Sequence, residues 1–583
     1  MSFQLAKDRR AHLPIVIPEN ATPQEYYAAK EMRYYLDLIT SAVFNIVRSS
    51  TCDQGILIRH AGDEAKLGED GFQVTTREHS LLIEGGKRGV IYGVYEYLEQ
   101  LGCRFFTSTC EKVPTVTDLT APDFSTRQVP VFEHRDHNYY DLAQHGRFAV
   151  KMRLNGNSPQ IKEEFGGHQG YTWFVHTFDK LLSAEEYGKD HPEYFAMFKG
   201  ERITQDTRTQ LCLTNPDVLK IAKEKVRAAL RKSPDTRIIS ISQNDHIWGC
   251  QCDKCLAVDR EEGSPAGTLL RFVNAIAEDM EQEFPNVVFD TLAYNYTRPV
   301  PTKTKPRHNV CVRLCSIECC FAHSFEECDE DRSITLPDGT KTSFINDLRN
   351  WGNYHDRLYI WDYTTCFAHY PSPHPNWRVL QKNMQAFHRN HVKGVFEQAN
   401  GAKRGGVDFN ELRAYVICKL LWDPYCDVEK HIREFTDYYY GAAGVYVREY
   451  LDALCDKADR ENIHVGFNDQ PVSKLFEESF LDELDAIMDK AEKAVQGDPL
   501  CLWRIGKNRL SVRWVRMKRA AMLRNQLCPE EATRFFTDWK AYGLSRIDEW
   551  VSMETTHRAL LSNLWRGVEF YDHWVIDEER EEF

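Results

Sequence analysis

Acidic side chains recur at one kind of position in this sequence. Each follows within three residues of a short apolar stretch that is typical of a buried strand. The four carboxylates placed in this way are Asp245, Glu318, Asp362 and Glu397. In a pair of carboxyl groups, one protonates a leaving oxygen while the other acts as nucleophile, base or electrostatic support, which is the chemistry of glycosidic bond cleavage. Any one of the four could instead cap a helix or pair with an arginine, but their shared placement favours a shared site.

The residues around these carboxylates suit a carbohydrate ligand. Aromatic rings stack on the apolar sides of sugars, and Asn, His and Arg side chains bind hydroxyl groups. Glu397, Asp245 and Glu318 are therefore the predicted catalytic residues, with Glu397 preferred as proton donor because it ends the apolar stretch Gly394-Val395-Phe396. The predicted substrate-binding residues are Asn244, His246, Asp362, Tyr363, Trp361, His134, Arg135, Asn138 and Gln398. The alternative for Glu397 is an ion pair with Arg404 or Arg413 that only fixes its loop.

A cysteine cluster follows the Asp245 segment. Cys250, Cys252 and Cys255 lie within six residues and could supply three ligands of a tetrahedral zinc ion. The fourth ligand would come from elsewhere, and the candidates are Cys315, Cys319, Cys320 and His323. Three thiolate ligands favour a structural metal, so we expect no cofactor for catalysis. Buried free thiols or a disulfide are the other readings of this cluster.

Strand and helix patterns alternate through the middle of the chain. Amphipathic helices lie between several apolar segments, as expected for a (β/α)₈ barrel, in which functional groups follow the carboxyl ends of the strands. The eight strand candidates are 131–136, 148–154, 209–213, 237–243, 287–293, 309–315, 357–362 and 392–397. The predicted domains are an N-terminal α/β domain over 1–125, the barrel over 126–409 and a helical region over 410–583.

Composition narrows the class of protein. The net charge of -14 argues against a nucleic-acid partner, because phosphate binding needs a basic surface. No apolar run is long enough for a membrane span, and the first residues have no signal-peptide core. The 18 cysteines then favour a reducing cytoplasm. A homo-oligomer is compatible with the sequence.

Several motifs, in order, resemble those of a known bacterial family. Gly89-Val90-Ile91-Tyr92-Gly93 and Leu101-Gly102-Cys103-Arg104-Phe105-Phe106 look like the domain that precedes α-glucuronidase and β-hexosaminidase barrels. Ser242-Gln243-Asn244-Asp245, Trp361-Asp362-Tyr363 and Gly394-Val395-Phe396-Glu397-Gln398 resemble the bacterial domain of unknown function 4838. The likeness covers about residues 10 to 445.

The resemblance implies a particular chemistry. Some members of that group are classed as glycoside hydrolase family 163, endo-β-N-acetylglucosaminidases of complex N-glycans. The resemblance thus implies a retaining glycosidase that uses the 2-acetamido group of its substrate as nucleophile. Asn244 and Asp245 stand at the positions where barrel hexosaminidases have two acidic residues. Two alternatives stay open. One is an α-glucuronidase-like hydrolase, whose basic pocket could use Arg135, Arg147, Arg153 and Arg313. The other is a carbohydrate-binding protein without catalysis.

Overall fold

We analysed a computed structural model of the chain, which describes residues 3–205, 209–524 and 528–561. Its first part is an α/β unit with a mixed six-stranded sheet of order β11-β6-β7-β5-β3-β4, on which both helices pack. The strands are β1 (Phe3–Lys7), β2 (Arg10–Ala11), β3 (Ile15–Ile17), β4 (Ile46–Arg48), β5 (Gly55–His60), β6 (Phe72–Thr76), β7 (Ser80–Gly85), β8 (Arg104–Thr107), β9 (Cys110–Lys112), β10 (Leu119–Ala121) and β11 (Ser125–Gln128). The helices are α1 (Pro23–Thr40) and α2 (Gly89–Gln100).

Local sequence explains how α1 begins. The Thr22 hydroxyl accepts the backbone N–H of Glu25, and the Glu25 carboxylate accepts the backbone N–H of Thr22 at 2.7 Å. This reciprocal capping satisfies two backbone donors that the first turn leaves unpaired. One buried face of the helix, which includes Tyr35 and Leu36, then packs into the core of the unit.

The middle of the chain forms a parallel sheet of order β12-β21-β20-β17-β16-β15. Its strands, with the short hairpins between them, are β12 (His134–His137), β13 (Met197–Phe198), β14 (Glu201–Arg202), β15 (Ile238–Ser240), β16 (Val288–Ala293), β17 (Val310–Cys315), β18 (Ile334–Thr335), β19 (Lys341–Thr342), β20 (Leu358–Tyr363) and β21 (Val392–Gln398). The helices are α3 (Tyr140–Gln144), α4 (Gly146–Lys151), α5 (Phe178–Leu181), α6 (Ala184–Tyr187), α7 (Pro216–Lys232), α8 (Asp253–Glu262), α9 (Pro265–Met280), α10 (Phe344–Tyr354) and α11 (Leu380–Arg389).

Irregular backbone occupies two of the eight barrel positions. Asn155 N–H donates to the carbonyl of Arg135 on β12, and Gln169 N–H donates to the carbonyl of Asn155. Thr172 N–H then donates to Ile238 on β15 at 3.1 Å, so residues 171–177 lie beside that strand. The predicted TIM-like fold is confirmed, but the strand predictions over 148–154 and 209–213 are wrong. Residues 146–151 form a helix, and 209–213 makes only an isolated bridge between Phe195 and Leu211.

The last part of the chain is helical, as predicted. Its helices are α12 (Asn410–Trp422), α13 (Val428–Tyr439), α14 (Gly444–Glu461), α15 (Glu478–Ala494), α16 (Pro499–Arg524), α17 (Pro529–Ala541) and α18 (Met553–Leu561). Helix α12 also packs on the first unit, where Trp422 stacks on Phe72 at 5.8 Å between ring centroids. The division into domains at residues 125 and 409 stays a prediction. No helix in the described ranges is long and apolar enough to cross a membrane.

Candidate functional site

Two of the predicted carboxylates lie at the carboxyl end of the barrel. Asp245 is exposed and accepts a hydrogen bond of 2.9 Å from the Tyr294 hydroxyl, just past β16. Glu318 follows β17, and its Oε2 is 3.2 Å from a guanidinium nitrogen of Arg298. The negative charges of Glu318 and Asp245 both act on Tyr363 and help burial raise the pKa of that phenol. Asp245 and Glu318 therefore border one region, which we call the barrel mouth together with Tyr294 and Tyr363.

The environment of Glu318 suits a proton donor. Burial raises the pKa of its carboxyl group, and the positive charge of Arg298 only partly offsets this effect. Arg298 is itself fully buried and also donates to Asp347 at 2.7 Å. Because Asp347 already neutralises much of the guanidinium charge, Arg298 orients Glu318 without forcing it to stay ionised.

Residues that the sequence predicted as aromatic or amide sugar ligands line the interior below the mouth. The indole N–H of Trp361 donates to the side chain of Gln398 at 2.8 Å, and the Trp361 ring meets Phe396 edge-on at 4.8 Å. The amide of Gln398 donates in turn to Glu549, in the segment that follows α17. The backbone N–H of Glu549 donates to the carbonyl of Phe367, so this C-terminal segment lies over the loop after β20.

Glu397 and Asp362 lie on the other face of their strands. Trp361 and Phe396 face the barrel interior, and side chains alternate along a strand, so the next residue of each strand points toward the outer helices. Asp362 and Glu397 are register partners on β20 and β21, and Asp362 accepts a hydrogen bond of 2.5 Å from Ser316. The structure thus does not bring Glu397 to the mouth with Asp245 and Glu318, and its catalytic role stays a prediction.

Asp362 and Glu397 are both buried, and the pKa of each carboxyl group is raised. Burial raises the pKa of Asp362 to about 6. Burial and the charge of Asp362 hold the pKa of Glu397 well above its usual range. Two like charges on neighbouring buried positions cannot both ionise near neutral pH without large cost. The alternative in which Arg413 neutralises Glu397 is not what the structure shows, because Arg413 bonds Asp408 at 2.7 Å.

We expect a Glu397→Gln variant to become more stable relative to the parent as pH rises. Both folded-state pKa values lie above their unfolded values, so the pair favours folding below about pH 4. This contribution is lost as pH rises through the folded-state pKa of each group, which is about 6 for Asp362. Gln carries no ionisable proton, so this pH-dependent loss is absent at position 397 in the variant. Urea unfolding at pH 5 and pH 8 should show a relative gain on the order of 2 kcal/mol. An unchanged difference between the two pH values would contradict the raised pKa of Glu397.

The other predicted ligands are more deeply placed. His134 stacks on Tyr359 at 5.3 Å, near the start of β12 and inside the barrel. Asn244 is buried, and its amide donates to the carbonyl of Thr209 at 2.9 Å. Asn138 accepts the backbone N–H of Ala399 and so fixes the loop after β21. Binding of substrate by these three residues stays a prediction, since each side chain is used in local structure.

His246 and Arg135 occupy different surroundings. The His246 ring, which is partly exposed, lies 4.9 Å from Trp248 between centroids, next to the exposed Asp245. Arg135 is fully buried between the barrel and the first unit, where it donates to the carbonyl of Arg153 and lies 3.5 Å from Asp70. Of the two, only His246 has a partly exposed side chain.

Sequence reasoning missed several residues of the mouth. Tyr294 and Cys315 border it, and His176 lies 6.1 Å from the Tyr294 ring. Tyr294 could have been found, because it directly follows an apolar strand core like the four carboxylates. His176 and Glu549 carry no such signal, since irregular or distant segments bring them there.

Four cysteines meet beside the loop after β15. The thiols of Cys212, Cys250, Cys252 and Cys255 all lie within 4.8 Å of one another. The Cys212 sulfur is 3.7 Å from that of Cys252 and 3.9 Å from that of Cys255. Four sulfurs at about 2.3 Å from a tetrahedral zinc ion would be separated by about 3.8 Å. The residues present therefore fit the ion, and Cys212 takes the place that the sequence assigned to Cys315, Cys319, Cys320 or His323.

Local structure prepares this cluster for anionic sulfur. Cys252 is the N-cap of α8 and Cys255 lies in its first turn, where backbone N–H groups and the helix dipole favour negative charge. The backbone N–H of Met197 donates to Cys250 at 3.3 Å, and the Arg202 guanidinium lies 3.8 Å from the same sulfur. A tetrathiolate zinc centre carries net negative charge, which these donors would offset.

More than half of the chain matches a known protein family. A family model described as a domain of unknown function, DUF4838, matches residues 105–452, which is more than half of the chain. The chain belongs to the DUF4838 family. The matched range spans the barrel strands, both carboxylates of the mouth and all four clustered cysteines. No curated protein matches this DUF4838 protein.

Several solved structures resemble this DUF4838 protein in fold. A family GH115 4-O-methyl-α-glucuronidase with specificity for decorated arabinogalactans is 13% identical, with 97% of this chain and 78% of that chain covered and a TM-score of 0.55. A Streptomyces plicatus β-hexosaminidase is 10% identical over 75% of this chain and 90% of its own, with a TM-score of 0.43. A Clostridium perfringens family 89 glycoside hydrolase is 11% identical over 88% of this chain and 65% of its own, with a TM-score of 0.45. The first of these shows the TIM-like fold with its N-terminal unit.

Proposed function

We propose that this DUF4838 protein is a glycoside hydrolase whose reacting groups are Asp245 and Glu318. The observation that supports this most is the pairing of two carboxylates with different environments at one barrel mouth. Glu318 is partly buried with a raised pKa, whereas Asp245 is exposed and held by a phenol. The raised pKa of Glu318 favours its protonated form, which can transfer a proton to the leaving oxygen. The exposed Asp245 remains available to contact the substrate.

The substrate we propose is a β-linked N-acetylhexosamine, cleaved with retention. In that reaction Asp245 would orient the acetamido group, whose oxygen attacks the anomeric carbon as Glu318 protonates the glycosidic oxygen. Glu318 would then deprotonate a water molecule that attacks the anomeric carbon, and the bond from that carbon to the acetamido oxygen would break. Tyr294 would hold Asp245 in place through the hydrogen bond described above. Trp361 is buried below the mouth against Phe174 and Phe396, so its contact with a sugar ring stays a prediction.

The ion pairs of four arginines argue against a binding pocket for a uronic acid. A uronic acid would need a free cation, but each of the four arginines suggested by the sequence has an acidic partner. The pairs are Arg135 with Asp70, Arg147 with Glu31, Arg153 with Glu96 and Arg313 with Asp290. Displacing a buried pair by substrate would leave a carboxylate uncompensated, at a cost of several kcal/mol.

The same cysteine geometry supports a structural zinc ion in the Cys212 cluster. When bound, the ion would cross-link the loop after β15, which begins near Asp245, to the segment that precedes α7. All four ligands come from the protein, so no coordination position is left for a substrate. The ion would therefore hold the mouth in shape without entering the reaction.

Aryl glycosides offered side by side test the proposed substrate. We expect release of the aryl group from β-N-acetylglucosaminides and none from α-glucuronides. Proton NMR of the first sugar released should show the β anomer, because retention preserves configuration. Cleavage of only the glucuronide would overturn the proposed sugar and keep the glycosidase. Glycan binding with no turnover of any glycoside would instead support the carbohydrate-binding alternative.

A further inference from the structure

A second group of metal-ligating side chains involves the loop that carries Glu318. Cys320, His323 and Cys328 come from the loop after β17, and His464 comes from the segment after α14. Their ligand atoms all lie within 4.8 Å of one another. Cys320 and His323 belong to this group, so the sequence assignment of both to the Cys250 cluster does not match the geometry.

The separations within the group fit one tetrahedral ion. The Cys320 sulfur is 3.5 Å from Nδ1 of His323, and the Cys328 sulfur is 3.6 Å from Nδ1 of His464. Zinc with bonds of about 2.3 Å to sulfur and 2.0–2.1 Å to nitrogen gives sulfur–nitrogen separations of about 3.6 Å at the tetrahedral angle. The two imidazole rings lie 4.7 Å apart between centroids, at 52° to each other, so both can face one centre.

The surroundings orient His464 as metal ligands are oriented. Its Nε2 is 3.2 Å from a carboxylate oxygen of Asp329, and the Asn462 amide holds that carboxylate. A proton fixed on Nε2 by the carboxylate leaves the Nδ1 lone pair free for a cation. A carboxylate oxygen of Glu330 lies 3.4 Å from the same Nδ1. That carboxylate is paired with Arg332, so we count Glu330 as a residue beside the site and not as a ligand.

We propose that Cys320, His323, Cys328 and His464 bind a second structural zinc ion. With two thiolates and two neutral imidazoles this centre has no net charge, so it can be partly buried without further counter-ions. It joins two distant segments that already touch, since the backbone N–H of Phe321 donates to the carbonyl of Val465 at 2.8 Å. The loop it closes begins two residues after Glu318, so the ion fixes the base of that catalytic segment. This last consequence alone rests on the proposed function.

Zinc content and coordination of the purified full-length protein test the proposal. We expect about two zinc ions per chain, with X-ray absorption giving on average about three sulfur and one nitrogen ligands per zinc. Cys328→Ser and His464→Ala should each lose about one equivalent and shift the average to four sulfurs. Cys212→Ser should lose the other equivalent and shift it to two sulfurs and two nitrogens.

These readouts do not depend on hydrolysis, so the second ion and the proposed activity can fail separately. A parent protein with one zinc and only sulfur ligands would overturn the proposal. So would a Cys320–Cys328 disulfide found by mass spectrometry in protein purified without oxygen. If Cys328→Ser does not fold, the substitute experiment is to add cobalt(II) to the metal-free parent and record its absorption spectrum. A cobalt centre with two thiolates absorbs differently from one with four. A single tetrathiolate spectrum at saturation would equally overturn the second site.

Discussion

A Glu318→Gln variant is expected to lose about 10²–10⁴-fold in kcat on β-N-acetylglucosaminides with poor leaving groups. Gln keeps the size of the side chain and its contact with Arg298, but it has no proton to give to the glycosidic oxygen. Activated aryl glycosides need less protonation, so their kcat should fall much less. The contrast between the two substrate types identifies the missing proton.

The pH profile gives a second check on Glu318. Because burial raises the pKa of its carboxyl group, the parent should keep its acid form to higher pH than an ordinary glutamate. The alkaline limb of kcat/KM should therefore disappear in Glu318→Gln. A Glu278→Gln variant, at a surface ion pair with Arg307, serves as the matched control and should keep the parent profile.

The same assay with Glu397→Gln decides between the two glutamates. If Glu318 is the acid, the Glu397 variant cleaves both substrate types near the parent rate, because its side chain lies on the outer face of β21. If Glu397 is the acid, the leaving-group dependence moves to its variant and is absent from Glu318→Gln. That second outcome would contradict our assignment of the mouth.

We expect Cys212→Ser to lower the stability of the protein more than the other substitutions, because it removes a zinc ligand. A ligand bound only to the folded state at one thousand times its Kd contributes about 4 kcal/mol, and a weakened site loses most of this. We expect the zinc content to fall by about one equivalent and the Tm by several degrees. Elemental analysis and thermal unfolding with and without chelator measure both quantities.

The matched control for Cys212 is another buried cysteine, Cys311→Ala. Its thiol lies in the barrel interior, outside the cluster. The substitution should therefore lower stability by removing a packed side-chain atom, while the zinc content stays at the parent value. Equal zinc content in Cys212→Ser and the parent would contradict the metal site. Loss of stability in Cys212→Ser without any zinc in the parent would reduce the cluster to buried thiols.

Much of the architecture was determined by the sequence itself. Local capping and periodicity defined α1, as Thr22 and Glu25 show, and continuous apolar runs defined β16, β17, β20 and β21. The parallel strands also put Asp245 and Glu318 at the same end of the barrel, because strands of one direction end together. These features depend on residues close in sequence, where propensity and pattern act directly.

The tertiary structure alone decided the remaining features. Two barrel positions consist of irregular backbone, which has no periodic signal, so residues 148–154 were assigned wrongly. The alternation of side chains about Trp361 and Phe396 separates Glu397 from the mouth, although its distance from a strand core matched that of the other acids. Cys212 lies 38 residues before Cys250 in the sequence, and His464 lies 136 residues after Cys328. Only long-range packing brings such partners together, and local sequence patterns carry no signal for these contacts.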